Sequence, residues 1–280
     1  MRRLGRSAAC LCAVLAACLV ATGTAAAADL LAKVRQTHTL VIGTSNDAPL
    51  SYVDPQTKEA AGVLPDVLRE FLNREQITAK IEVVAMPFAS LIPSVQSGRI
   101  DLMGDAMYIR PARALVMDFT DIVFYNPESL DVPKGNPQNL HSLADLCGHS
   151  AGTYEGTTYI DLLKKAAAAC PAGKVLAVKQ YPTIQNVFAD LAAGRLDAAV
   201  VDSTLSAYAL KQNPSLSFEL VGNYVPEDKK ETGCAFAVTK NDTAFVSEFN
   251  KQYAAMLVDG TAAKLFTKWG LQPTDFFLKL

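Results

Sequence analysis

Histidine is scarce in this 280-residue sequence: His38, His141 and His149 are the only three, and no two stand at the spacing of a metal-binding pair. Gly-x-Ser-x-Gly, Gly-x-Gly-x-x-Gly and phosphate-loop signatures are missing too. Zinc sites, serine hydrolases and nucleotide enzymes are therefore not expected, and neither a metal nor a cofactor is called for. Basic residues are not in excess, 26 against 28 acidic, which argues against nucleic acid as a partner. Beyond residue 28 nothing approaches eighteen uninterrupted apolar residues, so no membrane span is expected there.

What is present begins with a leader. Arg2, Arg3 and Arg6 precede an apolar run from Ala8 to Val20, then Thr22-Gly23-Thr24 and a string of alanines ending at Ala28. A charged start, a short apolar stretch and small residues at the end are the marks of a signal peptide, expected to occupy residues 1–28. The alternative is a lipid-attachment site at Cys18. Leu19-Val20 after it continue the apolar run rather than opening a polar tether, which favours the soluble form. Removal of the leader leaves 23 basic residues, a formal charge of −5, and three cysteines, Cys147, Cys170 and Cys234. In an oxidising compartment Cys147 and Cys170, which bracket one strand and one helix, are the candidate disulfide; three small buried thiols are the other reading.

Half the residues are hydrophobic, enough for two lobes each with its own core. Short β-rich runs alternate with helical patterns, as in parallel βαβ units. Leu40-Val41-Ile42-Gly43 and Ile81-Glu82-Val83-Val84 read as strands, and Pro65 to Leu72 as a helix between them. A helix from about Ser90 to Ser97 stops at Gly98. The chain then echoes itself: helix, Gly98-Arg99-Ile100-Asp101 and helix, Gly194-Arg195-Leu196-Asp197 lie 96 residues apart, suggesting two similar α/β lobes. Phe124 to Leu130 reads as a crossover. Near the end, Asp242 is placed to cap a helix with Phe245, Phe249 and Tyr253 on one face, and a last helix carries Leu265, Phe266 and Trp269.

In open α/β sheets ligands bind beyond the carboxyl ends of the strands. The first echoed strand leads into Asp105, Met107, Tyr108 and Arg113, and the second into Asp202. Arg113 suits a carboxylate through paired hydrogen bonds, and Asp202 suits an ammonium group. Gly156-Thr157-Thr158 opens a helix, where Thr157 and backbone N–H groups add donors for the same carboxylate. Leu50, Phe88, Met107 and Tyr108 at strand-to-helix junctions either wall a pocket or are core. Asp47 and Thr158 complete the candidate ligand-binding set, and no catalytic residue is assigned. Plainer readings stand beside these: Arg113 as a surface ion pair, Asp202 as cap of the helix starting at Ser203, Thr157 as an N-cap.

Taken in order, Leu91 to Asp101, Met107 to Arg113, Met117-Asp118-Phe119-Thr120, Ser142 to Leu146, Gly156-Thr157-Thr158, Gly194 to Asp202 and Asp259 to Gly270 resemble the polar amino-acid family of ABC-transporter solute-binding proteins, bacterial extracellular solute-binding protein family 3. The resemblance covers nearly the whole chain after the leader. It implies a two-lobed type II periplasmic-binding-protein fold, each lobe a mostly parallel sheet flanked by helices, with two chain crossovers. The expected boundaries are 29–128 for the first lobe, 129–226 for the second, and 227–280 for the return to the first. It also implies a monomeric periplasmic receptor that closes on an amino acid or amino-acid-like zwitterion and delivers it to an ABC permease in the inner membrane. On this resemblance the carboxylate-gripping arginine is Arg113, the ammonium-binding aspartate Asp202, the threonine donor Thr157 and the stacking aromatic Phe88.

The departures are Leu50 in place of a second aromatic, Asp105 in place of a serine, and Arg110 in place of a threonine. Ser51-Tyr52-Val53-Asp54, Leu64-Pro65-Asp66-Val67, Met107-Tyr108-Ile109 and Lys134-Gly135-Asn136-Pro137 look most like the ectoine-binding branch. Asp202 looks instead like the α-amino-acid receptors, and Cys147 with Cys170 resembles a cysteine pair in some of them. Two rival functions share the fold: a cyclohexadienyl or arogenate dehydratase-like enzyme, using Asp105 or Glu155 as acid, and a sensing module for a membrane partner.

Overall fold

The computed structural model describes residues 29–277; the leader with Cys18 and the cleavage site near Ala28 lies outside them. Two main sheets organise the described residues. In the first, Thr39–Thr44 lies between Lys80–Ala85 and Leu102–Tyr108, parallel to both. Gly233–Thr239 then pairs antiparallel with Leu102–Tyr108, and Met117–Phe119 and Phe124–Tyr125 pair antiparallel with it in turn. In the second, Ser150–Tyr154 lies between Ala177–Tyr181 and Ala198–Asp202, again parallel to both. Glu128–Pro133 is antiparallel to Ala198–Asp202, and Phe218–Leu220 is antiparallel to Glu128–Pro133. Each sheet is thus mixed, with a three-stranded parallel core extended antiparallel. Gly233–Thr239 and Glu128–Pro133, the strands that adjoin the parallel trios, are the two that arrive from the other sheet, and no helical crossover precedes them to set them parallel.

The echo in the sequence has a shared structural cause. Gly98 and Gly194 each follow a helix with φ of +71° and +68°, a left-handed conformation that glycine adopts at little cost. Three residues on, Asp101 Oδ2 accepts from Val41 N at 2.9 Å, and Asp197 Oδ2 accepts from Ser150 N at 2.8 Å. Each aspartate therefore ties its incoming strand to the middle strand of the parallel trio in its own sheet. Ala198–Asp202 is buried at all its positions, as befits a strand covered on both faces.

Helices complete the packing around the first sheet. Val63–Arg74 begins two residues before Pro65, which thus lies in its first turn, and sets Phe71 against Phe245 and Phe249 of Thr243–Val258, with ring centroids 5.4 and 5.3 Å away. Such aromatic pairs add roughly 0.5–1.5 kcal/mol each beyond the area they bury. Asp242 caps Thr243–Val258 by accepting from Phe245 N, as its position in the sequence predicts. Thr261–Lys268 leads to Trp269, whose indole N–H donates to Asp66 Oδ2 at 2.8 Å, fastening the C-terminal region to the helix at 63–74.

The chain leaves the first sheet at Phe124–Tyr125 and enters the second at Glu128–Pro133, so the passage is confined to Asn126-Pro127. It returns through residues 221–232 to Gly233–Thr239.

Cys147 and Cys170 are joined in a disulfide with their Cα atoms 5.4 Å apart, and Cys234 is a buried free thiol. The bridge fastens the end of Tyr159–Ala168 to the segment before Ser150–Tyr154. Closing a loop over a separation of 23 residues restricts the unfolded chain by about 3 kcal/mol. Replacing both cysteines by serine should therefore lower the calorimetric melting temperature by roughly 6–12 °C. An unchanged melting temperature would deny the bridge any stabilising role.

Candidate functional site

The carboxyl ends of the parallel strands in the two sheets face each other, and the side chains of interest gather there. Asp202 ends Ala198–Asp202, Tyr154 ends Ser150–Tyr154, and Tyr108 ends Leu102–Tyr108. Arg113 sits on the short helix Pro111–Ala114 that follows. Helix Tyr159–Ala168 opens beside them, with Gly156-Thr157-Thr158 leading into it.

The two sides touch. Arg113 donates through Nη1 to Tyr108 O and through Nη2 across the cleft to Gly156 O, both at 2.9 Å. Gly156, at φ +83°, approaches Ala89 so closely that a Cβ would fall 2.8 Å from its Cα. Any other residue at 156 would push the two sides apart. Gln185 Nε2 also reaches Asn46 O at 3.5 Å. Between the two sides, the cavity bounded by Phe88, Tyr108, Arg113, Tyr154, Thr157 and Tyr159 measures about 10 Å³, room for about one water. A wider mouth of about 620 Å³ opens outside it, past Arg110, Arg113, Thr158 and Lys165.

Asp202 does not cap the helix that follows it. Its carboxylate accepts instead from Asn126 Nδ2 at 2.7 Å, Tyr154 OH at 2.5 Å and Tyr159 OH at 2.9 Å. Burial pushes its carboxyl up to about 6, against the lowering effect of the two tyrosine hydroxyls. Three of roughly four acceptor positions on the carboxylate are filled, which leaves a place for one more donor. Asn126 is itself held by Thr204 Oγ1, donating to Asn126 Oδ1 at 2.6 Å, so the crossover peptide is bonded directly into the site.

Arg113 is no surface ion pair. Its guanidinium meets no carboxylate among the described residues. Burial, and then the neighbouring Arg110, pull its pKa below the ordinary arginine value. Its Cζ lies 5.8 Å from the centroid of Phe88, over the ring. Phe88 in turn meets Tyr154 edge-on at 5.7 Å, and Tyr108 meets Tyr159 at 5.9 Å. Burial pushes the hydroxyls of Tyr108, Tyr154 and Tyr159 up, so they remain donors.

Thr157 does not cap a helix end either: its hydroxyl donates to Tyr154 O at 2.8 Å, and Thr158 is the residue at the N-cap position. Asp105 Oδ1 accepts from Ala106 N, and Oδ2 accepts from Ser45 N at 2.6 Å and from the Ser45 hydroxyl. The same Ser45 hydroxyl bonds Asp47 Oδ2, while Asp47 Oδ1 is buried with no partner.

Of the residues singled out from sequence, Phe88, Tyr108, Arg113, Thr157, Thr158 and Asp202 come together, with Asp47 and Asp105 beside them. Leu50 and Met107 do not. Leu50 is fully buried in the core, and Met107 alternates on its strand with Ala106 and Tyr108, which line the cavity. Sequence reasoning missed Ser45, Asn126, Tyr154 and Tyr159. The nearest signals were an Asn-Pro at the crossover and two tyrosines flanking Gly156-Thr157-Thr158.

Comparison with known proteins places this geometry. The lysine/arginine/ornithine-binding periplasmic protein of Escherichia coli K12 is 31% identical over 236 residues, 83% of this chain and 87% of the relative. The histidine-binding periplasmic protein of Salmonella typhimurium LT2 is 29% identical over 225 residues, covering 78% of this chain and 84% of the relative. The solved structure of an ancestral arginine-binding protein bound to arginine superposes with a TM-score of 0.73 at 30% identity, over 83% of this chain and 98% of the other. The family of bacterial extracellular solute-binding proteins, family 3, matches residues 40–272, a span that takes in both sheets and the cleft between them. The chain belongs to that family.

Proposed function

We propose that the chain is a monomeric periplasmic receptor, exported by residues 1–28, that closes two lobes on an amino acid and presents it to the permease of an ABC importer. In this reading residues 29–128 and 227–280 form one lobe and residues 129–226 the other. Phe88 and Arg113 are then supplied by the first lobe, and Thr157 and Asp202 by the second. The carrying observation is the half-buried Arg113 guanidinium, which has no carboxylate partner among the described residues, together with Asp202, which has one acceptor position to spare. An α-carboxylate and an α-ammonium satisfy the two together. The named ligands of the relatives, all α-amino acids, support the same reading. With about 10 Å³ between the closed walls, entry requires the sides to part, so binding is coupled to closure.

A dehydratase finds less support. Asp105 is already held by three donors, and Glu155 is exposed. A thermal-shift screen against amino acids, ectoines, opines and small amines tests the receptor reading. The cognate amino acid at about 100 times its Kd should stabilise by roughly 2.7 kcal/mol, a shift of about 5–10 °C. Silence across the panel from a folded protein, together with turnover of prephenate, would transfer the site to the enzyme.

A further inference from the structure

We propose that Arg110, held by Glu227, is a positioning residue that sets Arg113 for the ligand carboxylate and fastens that setting to the passage by which the chain returns to the first sheet. The proposal rests on the reading of Arg113 as the carboxylate grip and adds what holds the grip in place.

Packing alone does not place Arg113. Its helix, Pro111–Ala114, is about one turn long and buries none of its residues, and Leu115 and Val116 after it are exposed. So thinly packed a segment is held by its ends. At the far end Lys240 Nζ donates to Ala114 O at 2.8 Å and ties it to the first sheet. At the near end Arg110, extended at the N-cap position, accepts the N–H groups of Arg113 and Ala114 on its carbonyl, each at 3.0 Å. The Arg110 guanidinium lies over the ring of Tyr108, with Cζ 5.1 Å from the centroid. It donates to Glu231 O at 2.6 Å and to Glu227 Oε2 at 3.2 Å. The residue that starts the helix of Arg113 is thereby fastened to the passage at 221–232.

Glu227 carries the connection onward. While its carboxylate meets Arg110, its N–H donates to Glu128 Oε1 at 2.8 Å, where Tyr224 OH also donates at 3.0 Å. Glu128 opens the strand that follows the other passage and is the register partner of Asp202. Arg113 and Asp202 are therefore linked through Arg110, Glu227 and Glu128, independently of the contacts that cross the cleft.

Charge explains why an arginine suits position 110. Glu128 is buried with Oε2 unpartnered, and burial, then Glu128, push the Glu227 carboxyl up against the opposing pull of Arg110. Without Arg110, two neighbouring acids lose the cation paired with one of them. Arg110 itself borders the wider mouth and not the small cavity between the walls, so its influence on the ligand passes through Arg113. An arginine fork grips a carboxylate well only when its plane is set, so losing the anchor weakens binding without removing a ligand contact.

Calorimetric titration of the full folded chain with the standard L-amino acids and L-ornithine identifies the tightest binder, which then serves as probe for the variants. Arg110→Thr keeps a residue suited to the N-cap but cannot reach Glu227, and should weaken binding about 5- to 30-fold. Glu227→Gln keeps the shape and removes the charge, and should weaken binding about 3-fold or more. The double variant should match Arg110→Thr alone to within about 2-fold. In an Arg113→Lys background, Arg110→Thr should cost under about 3-fold, because a point charge on a flexible stem needs no set plane. Circular-dichroism melts check the fold, and if one single variant does not fold the other decides. Unchanged affinity in a folded single variant, or an equal loss from Arg110→Thr with Arg or Lys at 113, overturns the anchor. Tighter binding by Glu227→Gln overturns it too, since Arg110 freed from its acid would then be gripping the ligand itself. Failure of every amino acid to bind the wild-type chain overturns the cleft reading, and the anchor with it.

Discussion

Arg113→Ala should weaken amino-acid binding by a factor of roughly 30 to several thousand, corresponding to about 2–5 kcal/mol, without unfolding the protein. The guanidinium is half-buried, its desolvation offset by two carbonyl acceptors and by the face of Phe88 rather than by a counter-ion. Five N–H donors minus the two already used leave three for an incoming carboxylate. Removing the fork leaves that carboxylate desolvated and unpaired in the closed cleft, which is where the large penalty arises. Arg113→Lys should recover only part of the loss, because a point charge cannot reproduce the paired geometry. Calorimetric titration reads the affinity, and a circular-dichroism melt checks the fold. A folded Arg113→Ala protein that binds like wild type takes Arg113 out of the site.

Most of what positions that arginine was legible in the sequence, because it depends on short-range chemistry. The helix-Gly-Arg-x-Asp device recurs because each sheet solves the same problem: a left-handed glycine turns the chain, and an aspartate three residues later caps the neighbouring strand. The capped helix from Thr243 and the confined passage at Asn126-Pro127 are likewise local features.

What escaped was set by pairing between distant segments. Tyr154 and Tyr159 drew no assignment from the sequence, since an aromatic residue fits a strand, a helix or a core without marking a site. Only the pairing of Ser150–Tyr154 with Ala198–Asp202 in the second sheet brings both hydroxyls onto Asp202. Asn126 read only as part of the crossover from Phe124 to Leu130. Its amide becomes part of the site because the crossover runs directly behind Asp202. Ser45 and Asp105 are 60 residues apart and meet only through strand register. Leu50 and Met107 failed for the converse reason: a strand-to-helix junction has a core side and a cleft side, and periodicity alone does not say which one a residue takes.

Between pH 5 and pH 8 the ligand-free protein should lose stability as pH rises, opposite to the trend of a protein held by paired carboxylates. Asp131 is fully buried, with Ser206 donating to its Oδ2 and with Oδ1 unpartnered, and burial pushes its carboxyl up to about 7. Asp202 is pushed up to about 6, and Asp47 and Asp105 are raised as well. A carboxyl whose pKa is higher folded than unfolded binds more protons in the native state, so its stabilising proton is present below the unfolded value and lost as pH climbs through the folded one. For Asp131 the window runs from its ordinary 3.8 to about 7, worth on the order of 4 kcal/mol when fully traversed. Exposed carboxylates held low by their partners, such as Asp190 and Asp259, are already ionised at pH 5 and contribute no slope in this range. The melting temperature at pH 8 should therefore fall roughly 10 °C below that at pH 5. Two perturbations separate the sources. Asp131→Asn should flatten the slope without altering amino-acid affinity, because Asp131 lies in the sheet away from the cleft. Saturating amino acid should remove the part owed to Asp202, because an ammonium on that carboxylate stabilises its ionised form. By the same linkage, ligand affinity should decline as pH drops through about 6, where Asp202 gains a proton and ceases to be an anion. A melting temperature that rises steadily from pH 5 to pH 8 in both the wild type and Asp131→Asn would mean that these acids are ionised in the folded protein and that other groups govern its response to pH.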